Sequence, residues 1–366
     1  MHVFFSGNTT FKIANFREGL IRRLVDEGHQ VTVCAPPDEY VGKIREMGCA
    51  YLPLKMNRNG TAPLEELKLL LTVYRGLRQS HPDIVFGFTI KNNIYSGLAC
   101  RLLKIPMIPN VTGLGPAFDA KGLGGQCMRW LYRASFRKVD RVFFQNTSDR
   151  DIFLGSRIVP MEKARLLPGS GVDLDRFADT PLPDEGPGIR FLMVARLLQE
   201  KGVGIYAEAA RMLRQKHPRA QFQLLGPLDA DSRSGISRRE IDEWCREGLI
   251  EYLGSTQDVL PHLQGAHCVV LPSYYREGTP RSLLEAGAVG RPIITTDIPG
   301  CRDVVKNGIN GFVTEPRDAG DLAMAMERFL DATPQTRANM GRASRSHMVK
   351  NYDESIVIDN YLALLE

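Results

Sequence analysis

Four charged residues in two loops have the types and spacing to hold a charged molecule rich in hydroxyls. The apolar run Phe191–Ala195 is followed by Arg196-Leu-Leu-Gln-Glu-Lys201-Gly202, which sets two cations ahead of an amphipathic stretch. Fixed positive charges there grip a diphosphate, and a following helix N-terminus adds partial positive charge. The second loop, Leu271-Pro-Ser-Tyr-Tyr-Arg-Glu277-Gly278-Thr279-Pro280-Arg281-Ser282-Leu-Leu-Glu285-Ala, also leaves an apolar run. Thr279 suits an N-cap and Pro280 the first helical position, so a helix is expected to begin there. Glu277 then lies in the loop and Glu285 in the second turn, with seven residues between them. A carboxylate only accepts, and it takes two donors from a vicinal diol, so one acid suits a ribose and the other a hexose. Each loop alone also fits a plainer reading, with solvated cations in the first and surface carboxylates in the second.

The elements that must position these loops follow from the patterning. Short apolar runs alternate with amphipathic stretches, which predicts parallel sheets covered by helices. The runs are Val3–Phe5, Val31–Ala35, Ile84–Phe88, Met107–Val111 and Val142–Phe144, then Phe191–Ala195, Phe222–Leu225, Cys268–Leu271 and Ile293–Thr295. A chain of 366 residues exceeds one ordinary core, so two α/β domains are expected, 1–172 and 173–345. The proline-rich stretch Ala178–Pro187 reads as the linker, and a closing segment, 346–366, is expected to return to the first domain. Ligands of such sheets sit beyond the carboxyl ends of the strands, where both loops fall.

Composition narrows the function classes. With 43% hydrophobic and 24% charged residues and no long apolar segment, the chain reads as soluble and globular, and Met1–Phe5 lacks a signal-peptide pattern, so a cytoplasmic location is expected. Seven scattered cysteines, with no C-x-x-C pair, read as reduced core residues. Up to Asp175 there are 24 Lys and Arg against 16 Asp and Glu, and after it 23 against 26. The basic first half suggests an anionic partner or simply a solvated surface. Arg129, Arg133 and Arg137 recur every four residues beside Trp130 and Tyr132, which suits an anionic lipid surface, and the loop Gly113–Gly125 is expected to admit a lipid head group. A solvated arginine stripe fits the same pattern. No RNP, zinc-finger or helix-turn-helix signature supports nucleic acid. Three D-x-D pairs, Asp149/Asp151, Asp173/Asp175 and Asp229/Asp231, are common enough by chance that no metal site is expected. Neither G-x-x-x-x-G-K-[ST] nor G-x-G-x-x-G occurs after a strand, which argues against kinases and dehydrogenases.

The whole Glu277–Glu285 block resembles the Glu-(seven residues)-Glu motif of glycosyltransferase family four, the large retaining GT-B family. Gly169-Ser-Gly-Val-Asp173, Val194-Ala-Arg196, Leu224-Leu-Gly226-Pro227, Leu253-Gly-Ser-Thr256 and Gly308-Ile-Asn-Gly311-Phe312 agree along most of the chain. The resemblance implies two Rossmann-like domains facing a central cleft and a metal-independent transfer from a UDP-sugar, with no cofactor. It implies that Arg196 and Lys201 neutralise the donor diphosphate, that Glu285 holds ribose and that Glu277 touches the transferred sugar. Thr256 matches a main-chain contact to the base. Gly278, Thr279, Pro280, Arg281 and Ser282 match contacts to sugar and phosphate. Of the double glycine of many relatives only Gly7 is present, and a histidine common near Thr112 is missing, so that role has no owner.

The first half is most similar to enzymes that extend lipid-linked oligosaccharides, on Phe88-Thr-Ile-Lys91-Asn-Asn-Ile-Tyr95, Asn110-Val-Thr112-Gly-Leu-Gly115-Pro-Ala-Phe118 and Phe144-Gln145-Asn146. That likeness implies a lipid-diphosphate-linked saccharide as acceptor, with Lys91 and Thr112 as candidate acceptor residues, and work at the inner face of a membrane. Two other readings share the architecture. A nucleotide-sugar epimerase would need no acceptor, and a non-catalytic nucleotide-sugar-binding protein would bind without transfer.

Overall fold

The computed structural model describes the 366-residue chain apart from residues 58, 59, 61, 115–117, 119–121, 187, 230, 231, 233 and 366. The chain divides into two compact units, Met1–Gly171 with Glu354–Glu366, and Val172–Asp353. Gly115, part of the Gly113–Gly125 loop and Asp231 lie outside the described residues.

The first unit is built on seven strands, β1 (His2–Ser6), β2 (Gln30–Ala35), β3 (Ala50–Pro53), β4 (Ile84–Phe88), β5 (Met107–Val111), β6 (Val142–Phe144) and β7 (Ala164–Leu166). Their order is β3-β2-β1-β4-β5-β6-β7, and every pairing is parallel. Central strands are apolar at nearly every position because helices cover both faces. Val3, for example, sits in register with Val31 on one side and Ile84 on the other. From β1 the chain proceeds outward to β2 and β3, then returns to lay β4 on the other side, so the connections from β1 and β4 diverge.

The second unit has six parallel strands, β8 (Arg190–Val194), β9 (Gln221–Leu225), β10 (Glu251–Tyr252), β11 (Cys268–Leu271), β12 (Ile293–Thr296) and β13 (Gly311–Thr314), in the order β10-β9-β8-β11-β12-β13. Here the reversal falls between β8 and β11. The two loops that carry the charged residues leave these two strands.

Two boundaries differ from the sequence expectation. The proline-rich stretch 178–186 is a strap on the second unit rather than a free linker. The buried Arg291 guanidinium donates to Pro181 O (3.1 Å) and to Thr180 Oγ1, and Arg337 donates from Nε and Nη2 to the two oxygens of Glu185 (3.0 and 2.6 Å). The returning segment begins at Glu354 rather than at 346, because helix Pro334–Asn351 runs unbroken and packs on helix Arg281–Ala288. Helix Glu354–Leu362 then belongs to the first unit. Its buried Tyr361 lies against Phe86 (4.7 Å between centroids) and Phe143 (5.0 Å), and its hydroxyl accepts from Asn110 Nδ2 (3.0 Å). Five of the cysteines are buried as expected, whereas Cys127 and Cys245 are exposed, each on the solvent side of an amphipathic helix.

Candidate active site

The connection after β8 forms a tight turn at Gln199–Lys201 before helix Val203–Arg214 starts. Gly202 ends that turn at φ +80°, and a Cβ there would come within 2.1 Å of Pro272 O. Glycine is thus required for the turn bearing Lys201 to press against the loop that leaves β11. Tyr274 N donates to Glu200 O (3.0 Å), closing the same contact from the other side.

Lys201 Nζ makes an ion pair with Glu277 Oε1, and their side chains keep only 16% and 13% of their exposure. The buried Ser273 hydroxyl stands beside the pair, 3.0 Å from Glu277 Oε1 and 3.2 Å from Glu200 O. Ser273 thereby links the loop of Glu277 to the turn of Lys201. Thr296, at the end of β12, anchors the arrangement by donating to Ser273 O. Gly300, at φ +85°, would place a Cβ 1.5 Å from Gly278 O, so the loop after β12 backs onto Glu277 and Gly278 only because that side chain is absent. Neither Ser273 nor Gly300 stands out in the sequence. Their role comes from neighbours on other strands.

Arg196 is the open member of the set. Its side chain is 60% exposed and reaches Asp229 Oδ2 at 3.2 Å. Tyr275 sits near both groups. Burial first, and then the charges of Glu277 and Glu200, push its hydroxyl up, while Arg196 pulls it down. Arg196, Lys201 and Glu277 therefore share one neighbourhood at the reversal between β8 and β11.

The helix bearing Glu285 spans Arg281–Ala288, one residue later than the sequence suggests. Pro280 holds the N-cap position with ψ 119°, which is extended, and its carbonyl accepts from Leu283 N (3.1 Å) and Leu284 N (3.3 Å). The first-turn N–H groups of such a helix have no partner within it, which leaves Gly278 to Ser282 as the approach to an anion-friendly end. Arg281 Nε donates to Glu285 Oε1 at 2.8 Å one turn on. Burial raises the Glu285 carboxyl above its ordinary range, an effect that Arg281 and Arg176 oppose and Asp258 reinforces. Asp258 closes the loop of Thr256, whose Oγ1 accepts from Asp258 N (3.1 Å). The Thr256 hydroxyl is thus engaged within its own loop, donating to Asp258 O (3.0 Å) as well.

Among the described residues, one aspartate of each D-x-D pair is engaged within the fold. Asp149 is buried at the start of helix Thr147–Gly155, Asp173 Oδ1 accepts from Asp175 N and Arg176 N (3.0 and 2.8 Å), and Asp229 pairs with Arg196. Among the described residues, no group of three or more His, Cys, Asp or Glu side chains is gathered as for a metal.

The remaining candidates belong to the first unit. Gly7 follows β1, where a Cβ would come within 2.8 Å of Ile13, and its carbonyl accepts from Asn92 Nδ2 (3.0 Å). Thr112 follows β5 and is half-buried. Lys91 differs from the expectation. Its ammonium donates to Asn57 O (2.8 Å), Gly60 O and Glu66 Oε1, which uses all three of its donors. It clamps the segment before helix Pro63–Ser80 and retains none for a phosphate.

Two divergent connections at the reversal of a parallel sheet are thus lined by a cation–carboxylate pair and an open arginine, on a Rossmann-like unit. Residues 179–347 match the family described as Glycosyl transferases group 1, and residues 13–169 the one described as Glycosyl transferase 4-like domain. The chain belongs to the GT-B glycosyltransferases. It is 28% identical to the N,N'-diacetylbacillosaminyl-diphospho-undecaprenol alpha-1,3-N-acetylgalactosaminyltransferase of Campylobacter jejuni, over 100% of this chain and 98% of that one. It is 27% identical to the UDP-Gal:alpha-D-GlcNAc-diphosphoundecaprenol alpha-1,3-galactosyltransferase of Escherichia coli, over 73% and 71%. Among solved structures, HepE of Anabaena in complex with UDP-glucose superposes with a TM-score of 0.80 at 17% identity, covering 100% of this chain and 99% of that one.

Proposed function

We propose that the chain transfers a hexose or an N-acetylhexosamine from a UDP-sugar to a saccharide carried on a lipid diphosphate, with retention of configuration and without a metal. The observation that carries the donor half is the Lys201–Glu277 pair at the β8/β11 reversal, with Arg196 beside it. The acceptor half is supported by the relative that matches the chain from end to end and is named for a diphospho-undecaprenol acceptor. A second relative, matching 73% of the chain, is named for both UDP-Gal and a diphosphoundecaprenol acceptor.

The chemistry follows from where charge builds up. As the bond from the anomeric carbon to the β-phosphate oxygen breaks, its electron pair stays on the phosphate and the sugar becomes oxocarbenium-like. Lys201 and Arg196 stabilise that oxyanion in place of a divalent ion, and a preorganised donor of this kind is worth roughly 10²–10³ in rate. The acceptor hydroxyl attacks from the face that the phosphate is leaving, and its proton passes to the departing phosphate oxygen. Glu277, once released from Lys201, takes the sugar hydroxyls, and Glu285 takes the ribose diol.

Lys201→Ala and Glu277→Ala are each expected to lower turnover by at least about 10²-fold. Either change strands a partner that is mostly out of solvent, at about 3–5 kcal/mol of stability. The double variant, which leaves neither charge alone, therefore belongs in the same assay, with circular dichroism confirming the fold. Unchanged transfer in all three variants would overturn the site. Activity is also expected to survive EDTA, and complete loss that Mn²⁺ restores would overturn the metal-free mechanism.

A lipid-linked acceptor also places the chain at a membrane surface, with the basic aromatic helix Leu123–Phe136 as a contact. Among the described residues, no helix is long and apolar enough to cross a membrane.

A further inference from the structure

The connection after β11 carries two adjacent tyrosines, Tyr274 and Tyr275, whose side chains go to different neighbours. The Tyr274 ring lies under the guanidinium of Arg317, which is 4.4 Å from its centroid. Arg317 follows β13, so this tyrosine serves the contact with that strand's connection. Tyr275 belongs with the connection after β8. Its hydroxyl lies within electrostatic reach of Glu200 and Arg196 from that connection, and of Glu277 from its own.

The main chain of Tyr275 is tied down. Its N–H donates to Ser273 Oγ (3.3 Å), the same oxygen that stands 3.0 Å from Glu277 Oε1. Ser273 is in turn held by Thr296 from β12. The side chain has no such tie. Tyr275 is half-buried, yet among the described residues its hydroxyl has no hydrogen-bond partner. A tyrosine withdrawn from water ordinarily finds a partner for its O–H, because an unpaired polar group costs stability there. A ring that only filled space would serve as well without the oxygen. Burial, and then the charges of Glu277 and Glu200, hold the hydroxyl in its protonated form, so it is available as a neutral donor.

We infer that Tyr275 is a further catalytic residue of the transfer, its O–H donating to the β-phosphate oxygen that leaves the sugar. The inference rests on the donor reading proposed above and adds a neutral donor to its two cations. Of the charged groups around the hydroxyl, Arg196 is assigned to the phosphate and Glu277 to the sugar, and the bond that breaks runs between those two parts of the donor. The proton stays on Tyr275 throughout, and the acceptor's proton still passes to the departing phosphate. Charge on the leaving oxygen grows as the bond breaks, so a hydrogen bond to it strengthens towards the transition state and acts on turnover more than on donor binding. A bond to an uncharged sugar hydroxyl would strengthen less and would act on donor KM.

The test is Tyr275→Phe, which removes an O–H that the fold does not use. Turnover, read as UDP released from the UDP-sugar that the native enzyme accepts, is expected to fall at least about tenfold, as for one lost hydrogen bond to a charged group. Donor KM is expected to change by less than about threefold, and thermal stability to stay as it was. UDP keeps the full charge left on that oxygen, so its binding without acceptor, read by calorimetry, is expected to weaken about tenfold.

Unchanged turnover in Tyr275→Phe would overturn the inference. So would a loss confined to donor KM, which would put the hydroxyl on the sugar, or a fall in thermal stability that accounts for the lost activity. The calorimetry is read without sugar transfer. A native chain that binds no UDP loses the donor site and this inference with it, whereas equal UDP binding with tyrosine or phenylalanine at 275 keeps the donor site and removes Tyr275 from it.

Discussion

Both sheets reverse their order at a central strand, yet the two reversals are furnished in opposite ways. In the second unit the charges at the reversal are already paired with each other, Lys201 with Glu277 and Arg196 with Asp229, and a buried serine locks the first pair in place. In the first unit the prominent cation, Lys91, is consumed by two carbonyls and Glu66, and the exposed face of helix Pro63–Ser80 mixes leucines with cations. The difference teaches what each site must pick up. A water-soluble dianion competes for preorganised charges and exchanges one partner for another. In the proposed reaction the lipid-linked acceptor meets a first unit whose prominent cation is already committed to its own fold.

Ser273 offers the strongest way to break this comparison. If Glu277 works only when positioned by Ser273, Ser273→Ala is expected to cut turnover about tenfold, in line with losing one buried hydrogen bond to a charged group, with a small change in donor KM. In a Glu277→Gln background the same change is expected to cost little more. Additive losses in the two backgrounds would mean that Ser273 merely holds the loop together.

A smaller effect comes from Glu285. Its folded carboxyl is raised by burial, so the protonated form appears at a higher pH than for an ordinary carboxylate. Donor KM is therefore expected to rise on acidification, beginning above the usual carboxylate range, and Glu285→Gln is expected to show a high KM that no longer responds to pH there. The stability sign runs the other way. Between the ordinary and the raised value the folded state holds more protons, so this group favours folding as pH falls through that window. A donor KM that stays flat through that window in the native enzyme would mean that Glu285 does not meet the donor.

Lys91 is expected to give the smallest kinetic change. Lys91→Met removes the clamp on the segment before helix Pro63–Ser80, so thermal stability is expected to drop while acceptor KM changes by less than about twofold. A tenfold rise in acceptor KM at constant stability would instead return the lysine to the acceptor's phosphate and erase the contrast between the units.

The interior of the fold was legible from the chain and its margins were not. All nine apolar runs became strands, because strands covered on both faces must be apolar throughout. The four that escaped notice, β3, β7, β10 and β13, are the four sheet edges. All are short, and three of them are half-wetted, with residues such as Ala50-Tyr-Leu-Pro53 or Glu251-Tyr252, whereas β13 is mostly buried. The acids and cations of the donor loops were readable because their types and spacing carry the chemistry. Ser273 and Gly300 were not, since what matters is the backbone that each one meets from another strand. The exposed leucines of helix Pro63–Ser80 were hidden for a different reason. That helix has leucines on several faces, so periodicity does not say which of them the core takes.

The ribosome meets the first unit before the second but cannot finish it. Tyr361, which fills the space between Phe86 and Phe143 and satisfies Asn110, is made only after all of Val172–Asp353 has emerged. At ordinary translation speed that is a wait of roughly 10 to 35 s. During it, the earlier half stands with an open seam while the later half matures, so completion runs opposite to the direction of synthesis.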